Sequence, residues 1–225
     1  MGFRILVADD HEVVRRGLCD LLHSQTEWVV CGEAKDGREA VEMAEKLKPD
    51  AVILDIGMPT LNGLEATRHI LKGNPKARVL ILTLHDSDRI VRDVLNAGAR
   101  GFLLKSDAVR DLVSAVEALL RDRTYFTSRV ADMVLEGFLQ HEIDVALPAH
   151  DSSNRLTPRE REIVQLVAEG KSTKEVAVVL SLSVKTAETH RSNIMRKLNL
   201  HSISDLVLYA VRNEIVHVAQ PALAN

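Results

Sequence analysis

Five short apolar runs rich in β-branched residues punctuate the first half of the chain, and segments with helical periodicity separate them. The runs show no alternation of apolar and polar residues, which indicates strands that are covered on both faces. Strands alternating with helices of this length predict a doubly wound parallel sheet, here over residues 1–121. The runs are residues 5–8, 28–31, 51–54, 79–82 and 102–104.

The helical segments of this half carry apolar stripes and start signals. Asp36 and Glu39 stand three residues apart before the second helix, which is the spacing of a capping box. The stripe of the last helix begins at Val109 and continues through Leu112 and Val116. We therefore expect Val109 to pack against the sheet together with the rest of that stripe.

The character of the sequence changes after Arg121. Residues 122–154 hold a weak amphipathic segment at 130–139 and then a stretch that ends with Pro148, Ser152, Ser153 and Asn154, which is typical of a linker. Residues 155–216 show helical periodicity alone. Residues 217–225 form a short tail. The sequence thus predicts an α/β domain followed by an all-α domain of four helices.

Composition excludes several classes of protein. Hydrophobic residues make up 46% of the chain and charged residues 27%, and the formal net charge is −3. This composition is that of an ordinary globular protein. No apolar stretch reaches the length of a membrane span, and no signal sequence precedes the first strand. Two cysteines, Cys19 and Cys31, are too few for a disulfide framework. We expect a cytoplasmic protein with no membrane partner.

Polar side chains follow four of the predicted strands at one edge of the sheet. Asp9 and Asp10 follow the first strand, Asp55 the third, Thr83 ends the fourth, and Lys105 follows the fifth. Ligands bind at this edge of doubly wound sheets, where three carboxylates would repel one another. A hard divalent cation such as Mg²⁺ would remove that repulsion. Ordinary alternatives exist: either Asp10 or Asp55 can N-cap a helix, and Lys105 can be a solvated surface residue.

The same stretches resemble the receiver domain of bacterial two-component response regulators. The resemblance rests on ILVADDHEVVRRGL, VILDIGMPTLNGLEA, ILTLHD and GARGFLLKSD. It implies the flavodoxin-like strand order 2-1-3-4-5 and transfer of a phosphoryl group from a sensor histidine kinase to Asp55. It also implies that Asp10, Asp55 and the carbonyl of Gly57 bind Mg²⁺, while Asp9 acts mainly through water.

The resemblance assigns roles to three further residues. Lys105 would neutralise charge on the phosphoryl oxygens, and Thr83 would hydrogen-bond one of them and draw its loop inward. Phe102 matches the switch aromatic of the family, although an ordinary core residue of the strand is the alternative. Asp55 suits the acceptor role because a carboxylate is a competent nucleophile toward phosphorus.

The C-terminal part carries three helix start signals in succession. Thr157 and Ser172 each precede a glutamate by three residues, and Ser183 precedes a longer helix. Gly170 is placed to end the first helix in the left-handed conformation. Two short helices followed by a longer one predict a helix-turn-helix.

The third helix of this part has an apolar face and a mainly basic polar face. Its predicted inward stripe is Val184, Ala187, Ile194, Met195 and Leu198. Between residues 185 and 197 there are four basic residues and one acidic residue. A solvated charged face is one explanation, but short hydroxyl side chains among the cations favour binding in a DNA groove.

Residues 155–216 are also similar to the LuxR-type DNA-binding domain, through LTPREREIVQLVAEGKS and SVKTAETHRSNIMRKL. With the receiver, this matches the NarL/FixJ group of response regulators. The resemblance implies base contacts by Lys185, Glu188, Thr189 and Ser192. It implies phosphate contacts by Thr186, His190, Arg191 and Lys197, although His190 can also be a packed residue. Position 188 is often basic in relatives, and a carboxylate there can accept a hydrogen bond from cytosine N4.

These features predict a transcriptional regulator that is phosphorylated on Asp55 and binds double-stranded promoter DNA as a homodimer. RNA polymerase is a further expected partner, and no enzymatic activity is expected beyond phosphorylation and dephosphorylation of Asp55. The fourth helix, residues 204–212, has more apolar residues than one face needs, which fits either a dimer surface or core packing.

Two other functions are compatible with parts of the pattern. One is a DNA-binding scaffold that works without phosphorylation. Such a protein would be expected to have lost Asp10, Asp55, Thr83 or Lys105, and all four are present. The other is a Mg²⁺-dependent phosphohydrolase with an Asp nucleophile. The residues after Asp55 supply no second acid for that chemistry.

Overall fold

The computed structural model describes residues 2–84, 87–127, 130 and 156–216. These residues belong to two compact units, which are described separately. The predicted linker residues 131–154 and the tail, 217–225, lie outside the described part of the chain.

The first unit contains a five-stranded parallel sheet. Its strand order is β2-β1-β3-β4-β5, which confirms the predicted order. The strands β3 and β4 are buried along their whole length, as expected for a sheet covered on both faces. The strands are β1 (Phe3–Ala8), β2 (Trp28–Ala34), β3 (Ala51–Asp55), β4 (Val79–Thr83) and β5 (Gly101–Leu104).

Helices connect these strands and supply the rest of the core. Their apolar faces cover the sheet, as the contacts of Leu18, Leu22, Leu112 and Val116 with buried strand residues show. A short 3₁₀ turn, Lys105–Asp107, leads from β5 into the last helix. The helices are α1 (Glu12–His23), α2 (Gly37–Leu47), α3 (Gly63–Gly73), α4 (Asp88–Ala97) and α5 (Ala108–Leu120).

Two local expectations for this unit were wrong. Val109 is 81% exposed, because the first turn of α5 packs on the core through Ala108, which is buried, and not through Val109. The capping box of α2 is incomplete. Asp36 accepts hydrogen bonds from the amides of Arg38 and Glu39, but the Glu39 carboxylate accepts from the amide of Lys35 instead of that of Asp36.

Within the second unit, residues 156–216 contain four helices joined by short turns. Thr157 and Ser172 form capping boxes, Ser183 caps the third helix, and Gly170 has a φ of +85°, all as predicted. Val184 departs from the prediction, since it is 40% exposed at the first position of its helix. The helices are α6 (Pro158–Ala168), α7 (Thr173–Val179), α8 (Val184–Lys197) and α9 (Ile203–Arg212).

Candidate functional site

Three charged side chains meet at the carboxyl edge of the sheet. Asp9 and Asp55 are buried, and Nζ of Lys105 lies 2.7 Å from Oδ2 of Asp9 and 3.0 Å from Oδ1 of Asp55. The side chain of Lys105 is only 9% exposed, so the alternative of a solvated lysine is wrong. A buried cation between two carboxylates compensates part of the cost of burying them.

The backbone around Asp55 is fixed by close contacts. The amide of Ile56 donates to the carbonyl of Leu82 at 3.1 Å, and the amide of Gly63 donates to the carbonyl of Ile56 at 3.0 Å. A Cβ atom at Gly63 would lie 2.1 Å from the carbonyl oxygen of Asp55. Only glycine permits this approach. The loop after β3 therefore folds back on the strand end and holds Asp55 in place.

Burial and neighbouring charges act in opposite directions on this cluster. Burial raises the pKa of Asp55 to about 6, although Lys105 opposes the shift. Burial lowers the pKa of Lys105, but the carboxylates of Asp55 and Asp9 outweigh it, so the net pKa lies above the usual lysine value. Lys105 is thus held as an ammonium, while Asp55 is poised to take up a proton or a cation near neutral pH.

The acidic residues of this edge also form a group that suits a metal ion. Ligand atoms of Asp9, Asp10, His11 and Asp55 all lie within 4.8 Å of one another. Carboxylate oxygens are the donors that Mg²⁺ prefers, so the residues fit that ion. His11 was not predicted as a member of the group. Its position directly after Asp10 was the available signal, and its Nδ1 lies 2.7 Å from Oδ1 of Asp10.

The helix-capping alternatives for the two aspartates are wrong. The N-cap residue of α1 is His11, without a capping side-chain bond, and it is Asp9 that accepts from the His11 amide at 2.9 Å. Asp55 ends β3, whereas the N-cap of α3 is Asn62. Neither Asp10 nor Asp55 caps a helix.

The remaining predicted receiver residues lie on the same edge or just below it. Thr83 is buried at the end of β4, where it pairs with Leu104, and Gly57 is half-buried two residues after Asp55. Phe102 is 1% exposed within β5. This burial fits the core alternative for Phe102 and does not test its role as a switch.

The predicted base-reading residues share one face of α8. Lys185, Glu188, Thr189 and Ser192 are all exposed, at helical spacings of three, four and seven residues. Ala187 and Ile194 are buried in the core of the second unit. A helix anchored through one face presents the other to a partner.

The predicted phosphate-contacting residues are arranged less uniformly. Thr186 is exposed, and His190 is half-buried. Nη1 of Arg191 donates to Oγ1 of Thr173 at 3.1 Å, and Nζ of Lys197 donates to Oε2 of Glu160 at 2.8 Å. Lys197 therefore has an acidic partner within its own domain, which the sequence did not predict because the two residues are far apart in the chain.

The apolar residues of α9 divide into a buried set and an exposed set. Leu206 and Ala210 are buried in the core of the second unit, as the core-packing alternative requires. Ile203 and Leu208 are 44% and 53% exposed, respectively. Core packing thus accounts for one face of α9 and leaves these apolar side chains in contact with solvent.

Comparisons with known proteins match both units. Residues 5–117 match the model of the response regulator receiver domain, and residues 154–210 match that of the bacterial regulatory proteins of the luxR family. The transcriptional regulatory protein LiaR of Bacillus subtilis is 39% identical over 95% of this chain and 99% of LiaR. The oxygen regulatory protein NreC of Staphylococcus carnosus is 37% identical over 95% of this chain and 99% of NreC.

A solved structure supports the same grouping. RcsB from Salmonella enterica serovar Typhimurium, bound to promoter rprA in the presence of phosphomimetic BeF3−, is 26% identical with a TM-score of 0.59. The match covers 93% of this chain and 98% of RcsB. Among the residues that the structure describes, no helix combines the length and apolar character needed to cross a bilayer. The chain belongs to the NarL/FixJ-type response regulators, in which a receiver domain precedes a LuxR-type helix-turn-helix domain.

Proposed function

We propose that a sensor histidine kinase phosphorylates Asp55 and that this modification controls binding of promoter DNA by α8. The observation that carries the proposal is the buried Asp55 carboxylate, 3.0 Å from the Lys105 ammonium at the carboxyl edge of the sheet. A carboxylate in this position is a nucleophile with a counter-charge already beside it.

The chemistry transfers a phosphoryl group between two side chains. An oxygen of the Asp55 carboxylate attacks the phosphorus atom, and the bond from phosphorus to the imidazole nitrogen of the kinase histidine breaks. Lys105 is placed to neutralise the added negative charge, and the Thr83 hydroxyl to donate a hydrogen bond to a phosphoryl oxygen. Both residues already lie at the same edge of the sheet as Asp55, because Thr83 ends β4 and Lys105 follows β5.

Mg²⁺ is the cofactor that this site suits. We assign its protein ligands as the carboxylates of Asp10 and Asp55 and the carbonyl of Gly57, with Asp9 acting through water. When bound, the ion supplies further neutralisation of the phosphoryl oxygens. Asp9 has a second task, because its Oδ2 lies 2.7 Å from Nζ of Lys105 and orients that ammonium.

The DNA-binding role is assigned to the exposed face of α8. Lys185, Glu188, Thr189 and Ser192 would meet base edges in the major groove, while Thr186, His190, Arg191 and Lys197 would contact phosphates. The structure of RcsB bound to promoter rprA supports a DNA-binding role for a chain of this family.

A homodimer follows from the exposed apolar residues of α9. Ile203 and Leu208 would be buried against the same residues of a second copy, since a two-fold interface uses one patch on both subunits. RNA polymerase stays a predicted partner.

The acceptor assignment is tested by labelling with a small phosphodonor and Mg²⁺. Asp55→Asn should abolish acid-labile phosphate on the protein, whereas Asp20→Asn, the same change on the exposed side of α1, should label normally. Equal labelling of Asp55→Asn and wild type would contradict the proposal. Wild type that labels yet binds DNA equally with and without phosphate would instead support a scaffold, and steady release of free phosphate would support a phosphohydrolase.

A further inference from the structure

The chain does not leave the receiver sheet where α5 ends. The Tyr125 amide donates to the carbonyl of Arg100 at 3.0 Å, and the Phe102 amide donates to the carbonyl of Tyr125 at 2.9 Å. These bonds form a parallel bridge between Gly101 and Tyr125, on the side of β5 opposite β4. Residues that the sequence assigns to the linker therefore cover the edge of the sheet. We call this contact the Tyr125 bridge.

The turn that leads into the Tyr125 bridge is anchored by ion pairs. The Asp122 carboxylate accepts from Nε and Nη2 of Arg78 at 3.0 and 3.1 Å, and from Nη1 of Arg100 at 3.2 Å. Asp122 itself has a φ of +58°, and the Arg123 amide donates to the carbonyl of Ala118 at 2.9 Å. Arg78 and Arg100 directly precede β4 and β5, so the turn is tied to the starts of both strands.

The Tyr125 bridge and the phosphorylation site share a strand. Lys105, which contacts Asp55 and Asp9, follows the last residue of β5. Phe102, which donates its amide to Tyr125, pairs with Ile81 of β4 on its other side. Because Arg78 and Arg100 anchor the turn to the starts of both strands, a displacement of β5 relative to β4 changes the geometry of the Tyr125 bridge as well.

We propose that the Tyr125 bridge carries the phosphorylation state of Asp55 into the segment that leads to the helix-turn-helix domain. The inference rests on the proposed function. The new charge on Asp55 draws Lys105 and Thr83 toward the phosphoryl group and displaces the ends of β5 and β4. The displacement reaches residues 122–127 through the two hydrogen bonds of the Tyr125 bridge, which join Tyr125 to Arg100 and to Phe102. Tyr125 is thus a positioning residue that acts through the backbone of β5.

A bridge that only protects the sheet edge would behave differently. Unpaired strand edges favour association with other chains, so covering β5 has value in itself. A purely protective bridge would change stability when broken, equally in the phosphorylated and unphosphorylated protein. A coupling bridge changes the response of DNA affinity to phosphorylation.

The first test uses the unmodified full chain. Hydrogen exchange at the amides of Phe102 and Tyr125 should change together, at least threefold, when beryllofluoride and Mg²⁺ occupy the acceptor site. Unchanged exchange at both amides would overturn the inference, whatever the result of the DNA-binding measurements. This result does not depend on whether the proposed DNA-binding function holds.

The second test breaks the Tyr125 bridge. Tyr125→Pro removes the donor to Arg100, because proline has no amide hydrogen. Thr127→Pro is the matched control, since the Thr127 amide makes no hydrogen bond to β5 in the described structure. Tyr125→Phe keeps the backbone bonds. The readout is the ratio of DNA affinity with and without phosphate on Asp55, with labelling rate and thermal midpoint measured alongside.

Tyr125→Pro should reduce the affinity ratio to less than twofold while its labelling rate stays within twofold of wild type. Thr127→Pro and Tyr125→Phe should keep the wild-type ratio. A full ratio in folded Tyr125→Pro would overturn the inference. If that variant does not fold, Asp122→Asn, which weakens the anchor on Arg78 and Arg100, should lower the affinity ratio. A wild-type ratio in Asp122→Asn would also overturn the inference. If phosphorylation does not change the DNA affinity of the wild type, the proposed function is contradicted. The hydrogen-exchange experiment then decides the inference.

Discussion

Nζ of Lys105 lies 3.0 Å from Oδ1 of Asp55, although β4 separates β3, which ends at Asp55, from β5, which ends just before Lys105. The ion pair therefore spans the end of β4, where Thr83 is the last residue. Three strands thus contribute to one short edge. A change in the charge of Asp55 therefore acts on the ends of all three strands at once.

Lys105→Met should destabilise the fold, because it leaves the buried carboxylates of Asp9 and Asp55 without their cation. Breaking a buried ion pair by removing one partner costs about 3 kcal/mol. Urea unfolding at pH 7.5 in chelator would measure the destabilisation. Lys46→Met, an exposed lysine of α2, is the control and should change little. The destabilisation should shrink at pH 5, where Asp55 takes up a proton, and a pH-independent value would contradict this account.

Asp55→Asn should stabilise the metal-free protein above pH 6. The folded pKa of about 6 lies above the unfolded value of 3.8, so ionising Asp55 opposes folding. This cost is absent below about pH 4 and fully present above about pH 6, and two pKa units correspond to about 3 kcal/mol. Urea unfolding in chelator from pH 4 to 8 should show a gain for Asp55→Asn that grows over this window. A gain that is constant with pH would refute the assignment.

Mg²⁺ should raise the thermal midpoint of the wild type, since an ion that binds only the folded state stabilises it by mass action. The stabilisation is about 2.7 kcal/mol at an ion concentration one hundred times the dissociation constant. Asp10→Asn should lose most of this response, whereas Asp36→Asn, at the N-cap of α2, should keep it. Midpoints recorded with Mg²⁺ and with chelator give the comparison. Equal responses of Asp10→Asn and wild type would remove Asp10 from the ligand set.

Glu160→Gln should strengthen binding to all DNA sequences alike. The substitution keeps an oxygen for the capping bond from Thr157 but releases Lys197, whose Nζ is now 2.8 Å from Glu160. Lys197→Ala should weaken binding to all sequences and reduce the log–log salt slope by about 0.9 for each phosphate that is no longer neutralised. Filter binding or fluorescence anisotropy across salt concentrations measures both. Opposite effects on matched and mismatched DNA would show that Lys197 reads bases.

Glu188→Lys should change which base pair is preferred instead of weakening all sites equally. Glu188 is exposed on the same face of α8 as Lys185 and Ser192, and its carboxylate suits cytosine N4 whereas an ammonium suits guanine. Selection of binding sites from a randomised duplex pool by each protein would reveal the change. Arg196→Gln, outside the predicted base-reading set, is the control and should keep the wild-type sequence preference. Identical selected sequences for Glu188→Lys and wild type would exclude base reading by Glu188.

The strands and the starts of the first two C-terminal helices could be predicted because they depend on local signals, whereas the strand order came from the resemblance to receiver domains. Fully apolar runs mark buried parallel strands, and Ser or Thr three residues before Glu marks a helix start. Val109 was misjudged because its spacing fits the stripe of Leu112 and Val116, whereas Ala108 takes the inward position of the first turn and leaves Val109 81% exposed.

Contacts between residues that are distant along the chain could not be predicted from the sequence. The pairing of Lys197 with Glu160 and the Tyr125 bridge both join residues more than twenty positions apart, and a single sequence holds no signal for either. The polar edge was predictable for a different reason. Parallel strands all end at one side, so residues that follow the strands meet there without any knowledge of their distances.

The close approach of Gly63 to Asp55 limits how the receiver can respond to a signal. A single methyl group at position 63 would lie 2.1 Å from the Asp55 carbonyl oxygen, so the acceptor is wedged against the start of α3. The side chain of Asp55 can gain a phosphoryl group, but the backbone of Asp55 has no room to shift toward α3. Under the proposed function, the response to phosphorylation therefore falls to the strand ends that carry Thr83 and Lys105 and not to the backbone of Asp55.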